Sequence, residues 1–234
     1  MISIWVSKKW TPKFRFKSTL VFVSLYLIAS FVIVPFIAPL FGRERIQTTA
    51  KLQPAAYATI LLNRSYVTPH LNTVLQEISA EIPLRFLDAN FPFIDKFPLL
   101  PHLSHNDGRK IDLSFIYETQ DGTPSNQVKS TSGYGVFEGP RQGEENQTAK
   151  CLSSGYFQYD YPKYLTFGTK NTDLRLSESG TRELLLTILK NNRIEKVFIE
   201  PHLVKRLNLA DSRIRFHGCR AVRHDDHIHV QIKD

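Results

Sequence analysis

Five of the eight histidines in this sequence fall in two short clusters, PHLSHNDGRKID in the middle of the chain and RHDDHIHVQI near its end. The side chains in these clusters that could bind a metal ion or carry a proton are His102, His105, Asp112, His224, His227 and His229. Imidazole nitrogen and carboxylate oxygen are ligands that suit Zn²⁺, and a catalytic zinc ion keeps three protein ligands and a water. The clusters therefore predict one zinc ion per chain, held by two histidines and one carboxylate.

The spacing within each cluster predicts how strands would bring these ligands together. Residues two apart in a strand point the same way, so His227 and His229 share one face of the last strand. The segment 110–117 alternates between polar and apolar residues and places Asp112 on its polar face. If the two strands pair, Asp112 and His229 reach one ion, and His105 reaches it from the preceding turn. We therefore predict His105, Asp112 and His229 as the metal ligands.

The two motifs SHNDGRKID and HDDHIH resemble those of the LAS superfamily of zinc peptidases, whose pattern is H-x6-D followed far downstream by H-x-H. Within that superfamily they are similar to the penicillin-insensitive murein endopeptidases, which carry an extra histidine three residues before the first ligand and an H-x-x-H-x-H end. The resemblance covers residues 98–117 and 195–232. It implies an α+β fold with a central antiparallel sheet, one zinc ion, and cleavage of peptide bonds in bacterial peptidoglycan.

Carried over to matching positions, the resemblance implies that His105, Asp112 and His229 hold zinc. It places His227 beside the metal as a catalytic histidine. His224 is the second catalytic candidate, and it stands where the carboxypeptidases of the superfamily have a glutamate base. The chain therefore follows the endopeptidase variant of the motif.

Three further residues in the first cluster have expected roles beside the metal. The resemblance implies that His102 lies near the substrate or supports a ligand. Arg109 or Lys110 would stabilise an oxyanion or bind a substrate carboxylate, unless both are ordinary surface charges. In the second cluster, Asp225 and Asp226 either orient the catalytic histidines or are turn residues.

Two other functions stay open at this point. Lys110 stands where the endopeptidases commonly have an acidic residue, and a cation near a metal ligand favours a catalytically inactive scaffold that binds zinc or cell-wall peptides. A D,D-carboxypeptidase is the other alternative, although it would fit better with a glutamate at position 224. The endopeptidase function has peptidoglycan peptides as its substrate.

The positive charge of the chain lies mainly at its N-terminus. Of the net charge of +8, residues 1–45 carry +6 and leave +2 for everything that follows. A nucleic-acid-binding protein concentrates its positive charge on the folded domain. We therefore expect no nucleic acid among the partners of this protein.

An uncharged apolar run at 18–42 is long enough to cross a bilayer as a helix. Five basic residues precede the run and only two closely follow it, so the positive-inside rule places the basic tail, 1–17, in the cytoplasm. A cleaved signal peptide would have a shorter apolar stretch and a better cleavage site than IAPLFG. We expect a single-pass anchor in the inner membrane, with the rest of the chain in the periplasm.

The remaining sequence predicts a linker at 43–65 and one α+β domain at 66–234, because helical and alternating segments follow each other in mixed order. Helical periods begin at Thr68-Pro69 and again at residues 178–191. Alternating or short apolar segments predict strands at 84–87, 110–117, 196–200, 213–217 and 227–232. With the sheet that the resemblance implies, the fold is a central antiparallel sheet flanked by helices and preceded by one transmembrane helix.

Two segments and one residue pair allow alternative interpretations. Residues 118–150 are rich in small polar residues without a period, which is typical of a functional lid or of disorder. Residues 156–167 contain six aromatic residues, which either line a substrate groove or, more commonly, pack as a strand in a core. Cys151 and Cys219 either form a disulfide bond in an oxidising compartment or are two buried thiols.

Overall fold

The computed structural model describes residues 15–99 and 103–233 of the chain. The helices are α1 (Arg15–Ile28), α2 (Val34–Ile37), α3 (Tyr57–Leu61), α4 (Pro69–Glu81), α5 (Gln147–Ser153), α6 (Glu178–Lys190) and α7 (Pro201–Arg206). The strands are β1 (Glu44–Arg45), β2 (Leu52–Pro54), β3 (Tyr66–Val67), β4 (Leu84–Asp88), β5 (Lys110–Ser114), β6 (Tyr117–Glu118), β7 (Pro124–Ser125), β8 (Arg175–Leu176), β9 (Ile194–Phe198), β10 (Ile214–Arg215) and β11 (His227–Ile232).

A central sheet organises the domain, and among the described residues it has six strands in the order β10-β9-β11-β5-β4-β2. The four inner strands run antiparallel to one another. The edge strands β10 and β2 instead pair in parallel with β9 and β4. The predicted α+β fold with helices flanking a sheet is confirmed, with parallel pairing added at both edges.

Two amphipathic helices pack on one face of this sheet. α4 begins where the Thr68 hydroxyl accepts a hydrogen bond from the backbone N–H of Leu71, and Pro69 fills the first helical position. α6 begins with a similar cap, in which the Ser177 hydroxyl accepts a hydrogen bond from the backbone N–H of Gly180. The aliphatic residues that the two helices bury in the common core are Leu71, Val74, Leu75, Ile78, Leu184, Leu185, Ile188 and Leu189. Both helices predicted from the sequence are confirmed.

The last strand separates the core from the polar face of the sheet. Its aliphatic residues Ile228, Val230 and Ile232 join the core, as the alternating pattern predicted. The intervening His227 and His229 therefore point to the other face. That polar face is covered by loops rather than by long helices, and it carries the clustered histidines.

The segment 43–65 is part of the folded domain, so the prediction of a linker is wrong. β2 pairs with β4, and Leu52 and Ile46 are buried in the common core. α3 follows within the same segment. These elements are two to five residues long, which is too short for a hydrophobic period to reveal them.

The aromatic segment 156–167 forms neither a strand nor a core layer. Phe157–Tyr164 is a 3₁₀ helix in which Tyr159 is fully buried, while Phe157 and Tyr164 are largely exposed. The buried Tyr159 hydroxyl donates a hydrogen bond to the carboxylate of Glu200. Aromatic density alone was therefore a poor guide to strand structure in this segment.

An N-terminal helical segment, Lys17–Phe41, is long and apolar enough to cross a membrane by length and composition. It comprises α1, a π-helical turn at Ala29–Ile33, α2 and a 3₁₀ turn at Ala38–Phe41. Most of its surface is exposed, but Ala38 and Val34 pack against the buried ring of Tyr66 in the domain. The predicted basic tail, 1–17, lies almost wholly outside the described residues.

A disulfide bond joins Cys151 in α5 to Cys219 in the loop before β11. The bond closes a loop of 68 residues, which contains the 3₁₀ helix, α6, β9 and α7. Of the two interpretations left open by the sequence, the paired one is therefore correct.

Replacing both cysteines in the variant Cys151→Ser/Cys219→Ser should lower the free energy of unfolding by roughly 4 kcal/mol, because the unfolded chain regains the entropy of the closed loop. Thermal or denaturant unfolding of the full chain in detergent measures this difference. Wild-type protein in a strong reductant should unfold at the same temperature or denaturant concentration as the variant. Equal stability of oxidised wild type and variant would contradict the prediction.

Candidate metal centre

The ligand positions predicted from the sequence meet on the polar face of the central sheet. Strands β5 and β11 are antiparallel neighbours, and their register places Asp112 directly opposite His229. His105 comes from the loop before β5. The His105 Nε2 atom lies 3.1 Å from Asp112 Oδ1 and 3.2 Å from His229 Nδ1, and His229 Nδ1 lies 2.8 Å from Asp112 Oδ1. The three donor atoms therefore form a compact triangle.

This triangle has the dimensions that a small metal ion requires. A tetrahedral zinc site with bonds of about 2.0–2.2 Å separates its ligand atoms by roughly 3.3–3.5 Å. The observed separations are slightly shorter, so a small outward movement of the three side chains would fit the set to an ion. All three side chains are buried, with at most 2% of any residue exposed. These residues could therefore hold a metal ion away from bulk solvent.

The hydrogen bonding of His105 also suits a metal ligand. Its Nδ1 atom lies 2.9 Å from the carbonyl oxygen of Ala89, which can only accept a hydrogen bond. Nδ1 therefore carries a proton, and Nε2 is the ring atom that faces the Asp112 carboxylate. An imidazole nitrogen and a buried carboxylate that face each other in this way are an arrangement in which a cation could bind between them.

His229 also favours metal binding by its charge state. Burial lowers the pKa of His229 to about 4, even though the Asp112 carboxylate acts in the opposite direction. The ring is therefore neutral near pH 7, as a ligand must be. Its Nε2 atom has no hydrogen-bond partner among the described residues.

Tyr134 supports the carboxylate from the segment 118–150. Its hydroxyl donates a hydrogen bond of 2.8 Å to Asp112 Oδ2, which leaves Oδ1 directed at the two histidines. Burial, and next the Asp112 charge, raise the pKa of Tyr134 well above its ordinary value, so the hydroxyl keeps its proton. Such hydrogen bonds to the ligands orient them and tune their affinity for the ion.

Two glycines force Tyr134 into this position. Gly133 and Gly135 both have positive φ angles of 90° and 80°. A Cβ atom on Gly133 would lie 2.3 Å from a methyl carbon of Leu87, and one on Gly135 would lie 2.5 Å from the carbonyl oxygen of Pro162. The Gly-Tyr-Gly sequence was the available clue to this residue, which the sequence analysis missed.

His227 lies beside the triangle on the same strand face as His229. Its Nδ1 atom lies 2.5 Å from Asp226 Oδ1, so Nδ1 carries the proton and the basic lone pair is on Nε2. That Nε2 atom lies 3.7 Å from Asp112 Oδ2. Asp226 thus orients His227, which selects one of the two roles left open for it.

His224 is a further member of the histidine group. Its ring is buried, with ring centroids 4.8 Å from His227 and 5.9 Å from His229. Burial, followed by the neighbouring histidines, lowers the pKa of His224 well below its ordinary value, so the ring is neutral. The backbone around it is fixed by Glu200, whose carboxylate accepts a hydrogen bond from the His224 N–H.

Asp225 is the other acidic residue of the second cluster. It orients neither His224 nor His227, and it does more than form a turn. Its carboxylate forms a buried ion pair with Arg223, and Arg223 also pairs with Asp160 of the 3₁₀ helix. This network ties the loop before β11 to the 3₁₀ helix. It therefore holds the start of the strand that carries His227 and His229.

The remaining predicted residues lie away from the triangle or cannot be placed. His102 lies outside the described residues. Arg109 pairs with Asp107 and lines a separate cleft with Thr68 and His70, so its expected role in binding substrate or oxyanion gains no support. Lys110, whose charge had favoured an inactive scaffold, forms an ion pair of 2.5 Å with Asp107, a carboxylate that it shares with Arg109.

The segment 118–150 covers the site in the structure. Besides Tyr134, the backbone N–H of Gly135 donates to Asp226 Oδ2 at 2.6 Å, and the N–H of Glu138 donates to the carbonyl oxygen of Asp225 at 2.7 Å. The His202 ring hydrogen-bonds the Glu138 carbonyl from α7. The segment is therefore an ordered cover, consistent with the lid interpretation rather than with disorder.

The sequence matches no protein-family model, and no curated protein is significantly similar to it. The geometry of the site and the spacing of its motifs therefore carry the functional argument.

The first prediction about the site concerns the metal stoichiometry. We expect one ion per wild-type chain and close to none in Asp112→Asn, which keeps the size of the side chain but removes the charge between the two imidazoles. Elemental analysis after gel filtration measures this. His70→Ala, a histidine exposed on α4, is the matched control and should keep the full complement. An Asp112→Asn protein with wild-type metal content would exclude this triangle as the site.

The second prediction concerns the hydroxyl of Tyr134. Tyr134→Phe keeps the buried ring but removes the hydrogen bond to Asp112, so the affinity for the metal should fall about 10–100-fold. Competition with a chromophoric chelator measures the change. Tyr161→Phe, which alters a more exposed tyrosine, should leave the affinity unchanged. Equal affinities in the two variants would show that Tyr134 only fills space.

Proposed function

We propose that this protein is a membrane-anchored zinc peptidase that cleaves peptide cross-links in peptidoglycan. The observation that carries the proposal is the buried triangle of His105, Asp112 and His229 with His227 beside it. Two imidazoles and one carboxylate are a donor set of catalytic zinc sites, in which a fourth position stays available. The resemblance of both motifs to the murein endopeptidases supports the choice of substrate.

In this proposal, three residues would bind the metal ion and His227 would transfer the proton. His105, Asp112 and His229 would hold the ion, which when bound lowers the pKa of a coordinated water to about 7 and polarises the scissile carbonyl. His227 would accept the proton of that water at Nε2, because Asp226 holds its Nδ1–H. It would then return the proton to the leaving amine.

His224 would act beside His227 rather than as a ligand. Its neutral ring adjoins that of His227, so it can stabilise the charge that develops there or relay the proton. The position carries a glutamate in the related carboxypeptidases, which supports an endopeptidase over a D,D-carboxypeptidase. A cross-link lies within a peptide, so its cleavage requires no recognition of a terminal carboxylate.

Substrate access requires movement of the cover. The ligands are buried, and Tyr134 and Gly135 lie directly over the carboxylates of Asp112 and Asp226. The hydrogen bonds of these two residues would be exchanged for contacts with a substrate peptide. Movement of a covering loop of this kind is a common step in enzymes that exclude water during catalysis.

The buried surface of the N-terminal helix supports a retained anchor over a cleaved signal sequence. Ser30 and Ala38 are almost completely buried, and Val34 packs with Ala38 on the domain. Removing the helix would expose the ring of Tyr66, which belongs to the same cluster. The bias of basic residues supports a cytoplasmic N-terminus, with the domain in the periplasm.

One observation favours a second candidate, a domain that binds zinc for stability without catalysis. Closed metal sites are typical of structural zinc, and this site is sealed by residues 130–138. A structural ion would need a fourth protein ligand, and His227, whose Nε2 atom lies 3.7 Å from Asp112 Oδ2, could supply it. In this alternative His227 would be a metal ligand. In the peptidase mechanism it would instead be the proton acceptor.

Variants of the two auxiliary histidines test the mechanism. In His227→Ala and His224→Ala we expect nearly full zinc content and a rate of peptidoglycan cleavage lowered by ~10²–10⁴-fold, the usual contribution of general acid–base catalysis. The full chain in detergent with zinc is incubated with purified peptidoglycan, and released fragments are identified by mass spectrometry. His70→Ala is again the matched control and should cleave normally.

The fragment masses and zinc contents separate the alternatives. Loss of dimeric cross-linked peptides indicates an endopeptidase, whereas release of a terminal D-alanine alone indicates a carboxypeptidase. A structural site would be identified by two results together: no cleavage by the wild type, and loss of zinc from the His227→Ala variant. Cleavage that survives both histidine substitutions would overturn the mechanism and leave the metal site intact.

A further inference from the structure

The N-terminal helix and the domain contact each other over more than half of the helix. The Tyr26 hydroxyl donates a hydrogen bond to the carbonyl oxygen of Leu61. One turn further along, the Ser30 carbonyl accepts a hydrogen bond of 2.8 Å from Arg45, and the Ser30 hydroxyl accepts one of 2.9 Å from Asn63. These contacts begin in the first half of the candidate span, well before its end at Phe41.

The length of helix left before these contacts is too short to cross a bilayer. From Lys17 to Ser30 the helix rises roughly 20 Å, at about 1.5 Å per residue. The hydrocarbon core of a bilayer is about 30 Å thick. If Lys17 lies at the cytoplasmic boundary, the face of the domain that meets Ser30 lies about 10 Å below the outer boundary of the hydrocarbon.

Beside the polar Arg45 and Asn63, the domain exposes three large apolar or aromatic residues near that level. α3 and the residue after it present Tyr57, Leu61 and Leu62, of which 72%, 43% and 61% are exposed. Leu61 is the residue that Tyr26 contacts. Large aliphatic side chains exposed next to a candidate membrane span are typical of a surface that enters lipid.

The backbone of this segment is also suited to a low-dielectric environment. The N–H groups of Leu62, Asn63 and Arg64 donate to carbonyl groups of Ala58, Ile60 and Thr59 within the same segment. The Arg64 guanidinium pairs with the buried carboxylate of Asp88. In lipid, backbone polar groups must be satisfied internally, and these N–H groups are.

We infer that the surface formed by Tyr57, Leu61 and Leu62 is immersed in the outer leaflet beside the N-terminal helix. Its partner is the acyl-chain region of the lipid, with the Tyr57 ring near the headgroups, where tyrosine is enriched. Helix and domain then bind the membrane as one body, and the metal centre stays at a fixed height above the bilayer. This inference rests on the anchor assigned in the proposed function.

The test uses single cysteines in the full chain, labelled with an environment-sensitive fluorophore under non-reducing conditions that preserve the native disulfide. Leu62→Cys reports on the surface, and Tyr57→Cys repeats the measurement if the first variant fails to fold. Val23→Cys reports on the helix itself. Leu186→Cys is the matched control. This exposed leucine lies on α6, one turn before Lys190. Lys190 pairs with Glu81 at the C-terminal end of α4, which begins near the N-terminal helix and runs away from it.

The labelled proteins are reconstituted into vesicles of phosphatidylethanolamine and phosphatidylglycerol, with and without nitroxide groups on the acyl chains. We expect blue-shifted emission and strong quenching at positions 23 and 62, and neither at position 186. Quenching at position 23 with none at position 62 or 57 would overturn the immersed surface while the anchor stands. No quenching at position 23 would reject the anchor, and the inference with it.

Discussion

The pairing of β5 with β11 is the constraint on which the rest of the site depends. Its register sets Asp112 opposite His229, and the loop before β5 brings His105 to the same point. A carboxylate and two imidazoles then face one another where no solvent can separate them. Desolvating such a group without a partner costs several kcal/mol. The sheet therefore builds a place that is unfavourable unless a proton or a cation occupies it, and the hydrogen bond from His105 Nδ1 to the Ala89 carbonyl turns Nε2 toward that place.

The residues that cover the metal centre also orient its side chains. Tyr134 positions the Asp112 carboxylate, and Gly135 donates to Asp226, which in turn orients His227. The disulfide bond and the Arg223 network hold the neighbouring loop in place. A cover bonded to these histidine and carboxylate groups keeps them ordered and closes the site. Opening the site would require these hydrogen bonds to break.

The N-terminal helix is bonded to the domain rather than joined to it by a flexible tether. Ser30, in the middle of the apolar run, accepts hydrogen bonds from Arg45 and Asn63, two polar residues that follow the run. The segment 43–65 thereby connects the helix to the central sheet through β2. A domain held in this way has a defined orientation toward a membrane surface, whereas a linker of the same length would let it rotate freely.

The sequence determined the strands that alternate and the ligands they carry, because a period of two is local and the polar face of β11 can be read directly from HIHVQI. The tertiary structure alone decided which segments cover that face. Leu52 lies in a three-residue strand that is stabilised by pairing with β4 and by burial in the core, so no period marks it. Tyr134 is 22 positions from Asp112, and only packing brings its hydroxyl there. Arg109 is adjacent to the predicted site in sequence, but its side chain lines a separate cleft. Neighbouring positions in the sequence do not ensure that two side chains point to the same place.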